Sequence, residues 1–263
     1  MRNADRPLLV YYHRGGHVVG SIETHDHVCA HIAHYARAPV LSVEYRLAPE
    51  HPFPQPVQDA YAAYAWALQH TFEVAPENRN AGNDANSANQ GENAVRIRAN
   101  PRRIFVGGDS AGGNLAAAVA LRDRAGPGKL AGQILVYPVT WLNVLDRPSY
   151  EKFATGYMLT RAGVEWYRSL YLPEEAMRTQ ELASPLLSAN HRNLAPALII
   201  TAEFDVLHDD GLLYAEALEK DGTPVEYRQF PGVIHGFLNM HRFIPESDEA
   251  MRLIADFMLQ PHS

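Results

Sequence analysis

Ile104-Phe-Val-Gly-Gly-Asp-Ser-Ala-Gly-Gly-Asn114 is the stretch whose reading decides the fold. Three β-formers, Ile104 to Val106, run into a glycine-rich turn, and the alanine-rich run Leu115 to Leu121 follows it. The pattern is strand, sharp turn, helix. Gly108-x-Ser110-x-Gly112 has the spacing of a nucleophile elbow, in which glycines flank the serine because the strand and helix backbones approach too closely for a side chain. Such a turn pushes the Ser110 hydroxyl out at the carboxyl edge of a sheet, with a helix N-terminus behind it that favours negative charge on an attacked substrate. A phosphate-cradling loop would need a lysine after the glycines, and none is there; the spacing also fails the GxGxxG dinucleotide fingerprint.

The rest of the chain supplies what an elbow needs. Its 263 residues are enough for one α/β domain, residues 1–263, with a full core. A net charge of −7 argues against nucleic acid as a partner. The single cysteine, Cys29, reads as a small core residue, and one cysteine allows no intrachain disulfide. No apolar run approaches the ~20 residues of a membrane span, and Met1 to Pro7 is too short and polar for a signal peptide. The expected location is therefore cytoplasmic, with no membrane partner.

Taken in order, Pro7 to Tyr12 reads as a buried strand that runs into His13-Arg14-Gly15-Gly16-His17, a turn whose N–H groups either face a cleft or close an ordinary bend. Asp26 to Ala38 is a helix with Val28, Ile32 and Tyr35 on one stripe. Its His27 and His31 are four apart, but no HExxH glutamate or third ligand accompanies them, so a solvated face is expected and no metal. Val40 to Tyr45 is a strand and Gln55 to Phe72 a helix. Residues 76–100 lack any apolar period and read as a mobile loop at the amino end of the next strand, away from the active site. Strands follow at Gly132 to Pro138, Pro196 to Thr201 and Val225 to Phe230, with helices at Asp209 to Leu218 and Asp248 to Leu259. Residues 141–182 break the alternation with aromatics and charges at the carboxyl end of a strand, the place of a residual cap or lid. The alternation predicts an α/β fold with a mainly parallel sheet flanked by helices.

Three candidates fall at three strand ends in the order Ser110, Asp205, His235. Serine is a poor nucleophile until a base takes its proton; His235 would be that base, and Asp205 would orient the imidazole. Glu203 is a nearby rival for the acid, and either residue could instead be an ordinary loop carboxylate.

On Tyr12-His-Arg-Gly-Gly-His17, Glu44-Tyr-Arg-Leu-Ala-Pro-Glu-His-Pro-Phe-Pro54, Gly107 to Asn114, Ala183-Ser-Pro185, Asp205-Val-Leu207 and His235-Gly-Phe237, the chain resembles the hormone-sensitive-lipase-type bacterial carboxylesterases, family IV, in the branch with GDSAG at the elbow. The stretches cover nearly the whole chain in order. The resemblance implies an α/β-hydrolase fold and hydrolysis of short- to medium-chain acyl esters through an acyl-enzyme on Ser110. It also implies no cofactor or metal, and small-molecule esters as substrates. Homodimers through the last strand and nearby helices are frequent in the family. By position it makes Ser110, Asp205 and His235 the triad, Gly15, Gly16 and Ala111 the oxyanion donors, and His13 the support of their loop. An amidase or deacetylase would use the same triad, and this fold also serves as a small-molecule binder where the histidine is lost.

Two departures carry further expectations. Arg14 stands where the HGGG motif has its first glycine: at positive φ it would strain the loop, and its head would either lie in solvent or reach the cleft and favour acidic substrates. His17 stands at a position usually aromatic. The family also has a segment before the first strand that contributes cap and opening strands. Its absence here, by nature or by truncation, leads us to expect a shortened sheet, Val40 to Tyr45 on an exposed edge, and an open active site with a wetter, less selective acyl pocket.

Overall fold

The computed structural model describes residues 5–70, 73–74, 97–127 and 130–261. Strands β1 (Asp5–Tyr12), β2 (Val40–Val43), β3 (Glu73–Val74), β4 (Ile97–Asp109), β5 (Leu130–Val136), β6 (Ala197–Phe204) and β7 (Val225–Ile234) form one sheet. The strand order is β2-β1-β4-β5-β6-β7, all parallel, with β3 antiparallel on β4. Strand β2 ends that order, at the edge where the sequence places it.

Period-two alternation assigns the two faces of the sheet. Leu8, Val10 and Tyr12 of β1, Ile104 and Val106 of β4, and Ile199 of β6 point into one core. That side is covered by α2 (Gln55–Gln69), α3 (Ala111–Arg124) and α7 (His208–Lys220). Leu9 and Tyr11, Phe105, and Leu198 and Ile200 point into the other core, under α1 (Ile22–Ala36) and α8 (Pro245–Leu259). Helix α3 is buried along almost its whole length, as an alanine-rich helix against a sheet and a second helix must be. Cys29 sits in the α1 core, where burial pushes its thiol up to about 12.

Some boundaries differ from the sequence reading. Helix α1 starts at Ile22 rather than Asp26, because Ser21 caps it. Thr24 N–H donates to Ser21 Oγ at 3.4 Å, and Ser21 N–H donates to Thr24 Oγ1 at 3.0 Å. This is a capping box closed by threonine instead of the usual Glu or Gln. Residues 97–100 belong to β4, not to a loop, since β1 and β3 pair with them. The remainder of the expected mobile stretch, 76–96, lies outside the described residues. Its described flanks, Val74 and Ile97, are paired at the amino end of β4, opposite Ser110.

Between β5 and β6 the chain departs from the sheet through α4 (Pro148–Lys152), α5 (Arg161–Tyr171) and α6 (Glu175–Arg178). A buried Arg147–Asp210 pair at 3.3 Å fixes the start of this excursion to α7, and Asp210 also accepts from Thr140 and Trp141 N–H. Among the described residues no helix is long and apolar enough to cross a membrane.

Candidate active site

Ser110 sits between β4 and α3 at φ 57° and ψ −114°, a left-handed backbone that costs a non-glycine residue about 1–3 kcal/mol. Surrounding contacts hold it there. Ser110 N–H donates to Val136 O at 2.8 Å, and Asn114 N–H donates to Ser110 O at 3.0 Å. Asn114 Nδ2 donates to Val139 O and Ala183 O, tying the first turn of α3 to the loops after β5 and before β6. The flanking glycines are required by space. A Cβ at Gly108 would lie 2.3 Å from Tyr12 O, and one at Gly112 would lie 1.9 Å from the same carbonyl. Because the obstacle is backbone, Gly112→Ala is expected to lower the unfolding free energy by at least about 1–3 kcal/mol. Urea denaturation reads this directly, and an unchanged midpoint would remove the close-approach argument.

The three strand-end residues come together. His235 Nε2 is 3.0 Å from Ser110 Oγ, and His235 Nδ1 is 2.6 Å from Asp205 Oδ2. The carboxylate can only accept, so Nδ1 donates to it and Nε2 faces the hydroxyl as acceptor. Asp205 is buried and is further fixed by Leu207 N–H donating to Oδ1 at 2.9 Å. Glu203 is elsewhere: its Oε2 accepts from Gly232 N–H at 2.8 Å. Strand β7 continues to Ile234, past the expected end at Phe230, and this delivers His235 to the site directly from the sheet.

Beside Ser110 lies the His13–His17 turn. Its positive φ angles fall at Gly15, Gly16 and His17, so Arg14 takes an ordinary backbone and carries no such strain. His13 is buried, stacks on Tyr45 at 4.3 Å, and its Nδ1 donates to Arg14 O at 2.8 Å. Tyr45 OH donates to His13 O at 2.7 Å, closing the support. His17 stacks on Tyr171 of α5 at 3.7 Å, filling an aromatic's place with an imidazole. Gly15 and Gly16 line the same cavity as Ser110 and His235, while Ala111 opens α3, where N–H groups have no helical partner.

Asp109, next to the serine, is completely buried and is met by groups from distant parts of the chain. Tyr11 OH donates to Oδ1 at 2.8 Å, Arg14 N–H to Oδ1 at 3.1 Å, and Tyr137 OH to Oδ2 at 3.0 Å. His25 Nε2 lies 3.6 Å from Oδ1, and Arg14 Nε lies 3.8 Å from Oδ2. Burial pushes the carboxyl pKa up, but His25, Arg14 and the Tyr11 hydrogen bond outweigh it and hold the group down at about 2. Sequence reasoning quoted Asp109 without giving it a role and missed His25, Tyr11 and Tyr137. The one signal available was a charged residue inside the glycine-rich elbow motif.

The cavity has a volume of about 230 Å³. Val139, Leu142, Leu159 and Val164 give it an apolar wall, and α5 contributes Tyr167, Arg168 and Tyr171. His27 and His31 are only half solvated, because both pack on the His241 ring, at 4.7 and 4.9 Å. Among the described residues no three His, Cys, Asp or Glu side chains are placed to hold a metal ion.

The family profile for the alpha/beta hydrolase fold matches residues 9–239. Carboxylic ester hydrolase LipN of Mycobacterium tuberculosis is 41% identical over 241 residues, covering 89% of this chain and 58% of that protein. Ethyl acetate hydrolase of Pseudomonas putida is 36% identical over 255 residues, covering 96% of this chain and 72% of its own. The chain thus spans about three fifths to three quarters of these relatives. Among solved structures, EstE1, a thermophilic carboxylesterase cloned from a metagenomic library, superposes with a TM-score of 0.85 at 37% identity, covering 99% of this chain and 83% of that one. By sequence, fold and elbow alike, this chain belongs to the α/β-hydrolase family of hormone-sensitive-lipase type.

Proposed function

We propose that the chain is a serine carboxylesterase that hydrolyses short- to medium-chain acyl esters through an acyl-enzyme on Ser110. The observation that carries this reading is the 3.0 Å approach of His235 Nε2 to Ser110 Oγ at the floor of a cavity. Ser110 Oγ attacks the ester carbonyl as His235 Nε2 takes its proton, and Asp205 stabilises the imidazolium through Nδ1. The developing oxyanion is received by N–H groups of Gly15, Gly16 and Ala111, each donor of this kind being worth about 3 kcal/mol. Collapse breaks the ester C–O bond, and His235 returns the proton to the leaving alcohol. Water, activated by the same imidazole, then hydrolyses the acyl-serine. Every group used belongs to this chain or to solvent.

Cavity size supports the acyl range. A cavity of about 230 Å³ with an apolar wall beside Ser110 accords with a small ester rather than a long-chain lipid. Residues 141–182 act here as the wall of the pocket, through α5, rather than as a separate domain.

A p-nitrophenyl ester series from acetate to palmitate, with and without a serine-directed organophosphate, tests the reading. Turnover is expected to peak at short chains and to stop when Ser110 is labelled. Absence of both turnover and labelling would overturn it. An anilide with the same acyl group should be hydrolysed far more slowly, and the reverse order would identify an amidase.

A further inference from the structure

The wall of the cavity beside Ser110 is basic. Arg14 and Arg168 both line it, and no carboxylate does among the described residues. The other basic side chain there besides His235, His17, adds nothing at neutral pH, since burial takes its pKa down to about 3. Arg14 lies near Asp109, but Nε stands 3.8 Å from that carboxylate and makes no hydrogen bond. Asp109 is already engaged by Tyr11, Tyr137 and the Arg14 main chain. The far end of the Arg14 guanidinium lies instead at the residue after the base: a Cβ at Gly236 would meet Arg14 Nη1 at 3.4 Å and the Met158 sulfur at 3.4 Å. Arg168 comes from α5, on the cap side of the cavity. Its Nη1 donates to main-chain oxygens of Asn143 and Leu142, at 3.1 and 3.4 Å, while its buried Nε has no partner. Burial and the neighbouring cation Arg178 work against its charge and outweigh Glu165, which favours it, so an incoming anion would add to a counter-charge that is incomplete. Two guanidinium groups in a small apolar cavity favour a planar carboxylate, which accepts paired N–H bonds, over a neutral chain of the same length.

We propose that this cavity selects esters that carry a carboxylate, with Arg14 and Arg168 as its recognition groups. The proposal rests on the esterase reading above and adds to it the substrate class. An anion carried on the acyl part and one carried on the alcohol part present the same chemistry, and the substrates chosen separate them.

Mono-p-nitrophenyl adipate is compared with p-nitrophenyl hexanoate for the acyl side, and 4-acetoxybenzoate with methyl 4-acetoxybenzoate for the alcohol side. On one side kcat/KM is expected to favour the anion about tenfold at low salt, the scale of one charge-assisted hydrogen bond. The ratio should shrink with added salt. It should fall towards one in Arg14→Gln and Arg168→Gln and be kept in part in Arg14→Lys, which retains the charge without the paired N–H groups. Because each ratio is taken within one variant, a general loss of activity cancels. Ratios at or below one on both sides, or a preference unchanged in both glutamine variants, overturn the proposal and leave the esterase reading standing. If no ester turns over, the esterase reading falls, and calorimetry on Ser110→Ala decides charge selection alone. Tighter binding of monomethyl adipate than of methyl hexanoate supports it, and equal or weaker binding overturns it.

Discussion

Ser110→Ala should lower ester turnover about 10⁴–10⁶-fold while leaving the chain folded. The Oγ makes one side-chain hydrogen bond, to His235, so its removal deletes the nucleophile without opening the core. Alanine at φ 57° bears the same backbone strain as serine, and the Val136 and Asn114 main-chain contacts that hold the turn do not involve the hydroxyl. His235→Ala should cost a comparable factor, because serine without a base is protonated at neutral pH. Asp205→Asn should cost roughly 10⁴-fold, since the amide can present its NH₂ to Nδ1 and so favour the wrong imidazole tautomer. The losses are not additive: the double variant Ser110→Ala/His235→Ala should be no worse than either alone, as both act in one proton transfer. Steady-state kinetics on p-nitrophenyl butyrate measures all four, with circular dichroism as the control for folding. Turnover within tenfold of the unaltered protein in Ser110→Ala would place the nucleophile elsewhere.

Legibility in the sequence followed the range of the interactions. The elbow pattern is local: Gly108 and Gly112, which flank Ser110, are both required by one steric fact, their approach to the Tyr12 carbonyl, and a five-residue motif displays it. Ser110 and Asp205 are equally readable as candidates, because each follows a strand with an apolar run, Ile104 to Val106 and Ala197 to Ile200. What the sequence could not display are contacts between residues far apart in the chain. His235 reaches the serine because β7 extends through Pro231 and Gly232, residues that argue against a strand when read alone. Asp109 meets Tyr11 across 98 positions, and no spacing rule connects them. Arg14 was readable as a departure from HGGG, yet the direction of its side chain depends on Asp109 and on the Gly236 backbone, which only the fold brings near. Of the helices of residues 141–182, α5 lines the cavity and α4 meets α7 rather than the sheet, so neither strand nor sheet-covering periodicity describes them.

Asp109 is where stability and the arrangement of the site meet, and its removal is expected to have the largest effect on folding. Asp109→Ala should lower the unfolding free energy by about 3–5 kcal/mol, the usual result of removing one partner from a buried charged network. Tyr11 OH and Tyr137 OH would lose their acceptor at full burial, and the positive group of Arg14 would lose its counter-charge. Asp109→Asn keeps an acceptor oxygen but gives up the charge, and so isolates the electrostatic part. Its pH dependence has a definite sign. The folded carboxyl titrates at about 2 against 3.8 for the free group, so its stabilisation is fully present above pH ~4 and is lost as pH falls towards 2. At neutral pH this is worth about 2 kcal/mol by linkage. Denaturant unfolding of the unaltered protein and of Asp109→Asn at successive pH values should therefore show two stability curves, separated at pH 7 and converging between pH 4 and 2. Parallel curves over that interval would mean that the charge on Asp109 is not what the network stabilises. Because Arg14 N–H is one of the donors, the same substitution should loosen the His13–Gly16 turn and reduce kcat more than it changes KM. On the proposed mechanism, a buried acid adjacent to Ser110 would thereby hold the turn that carries Gly15 and Gly16 without touching the substrate.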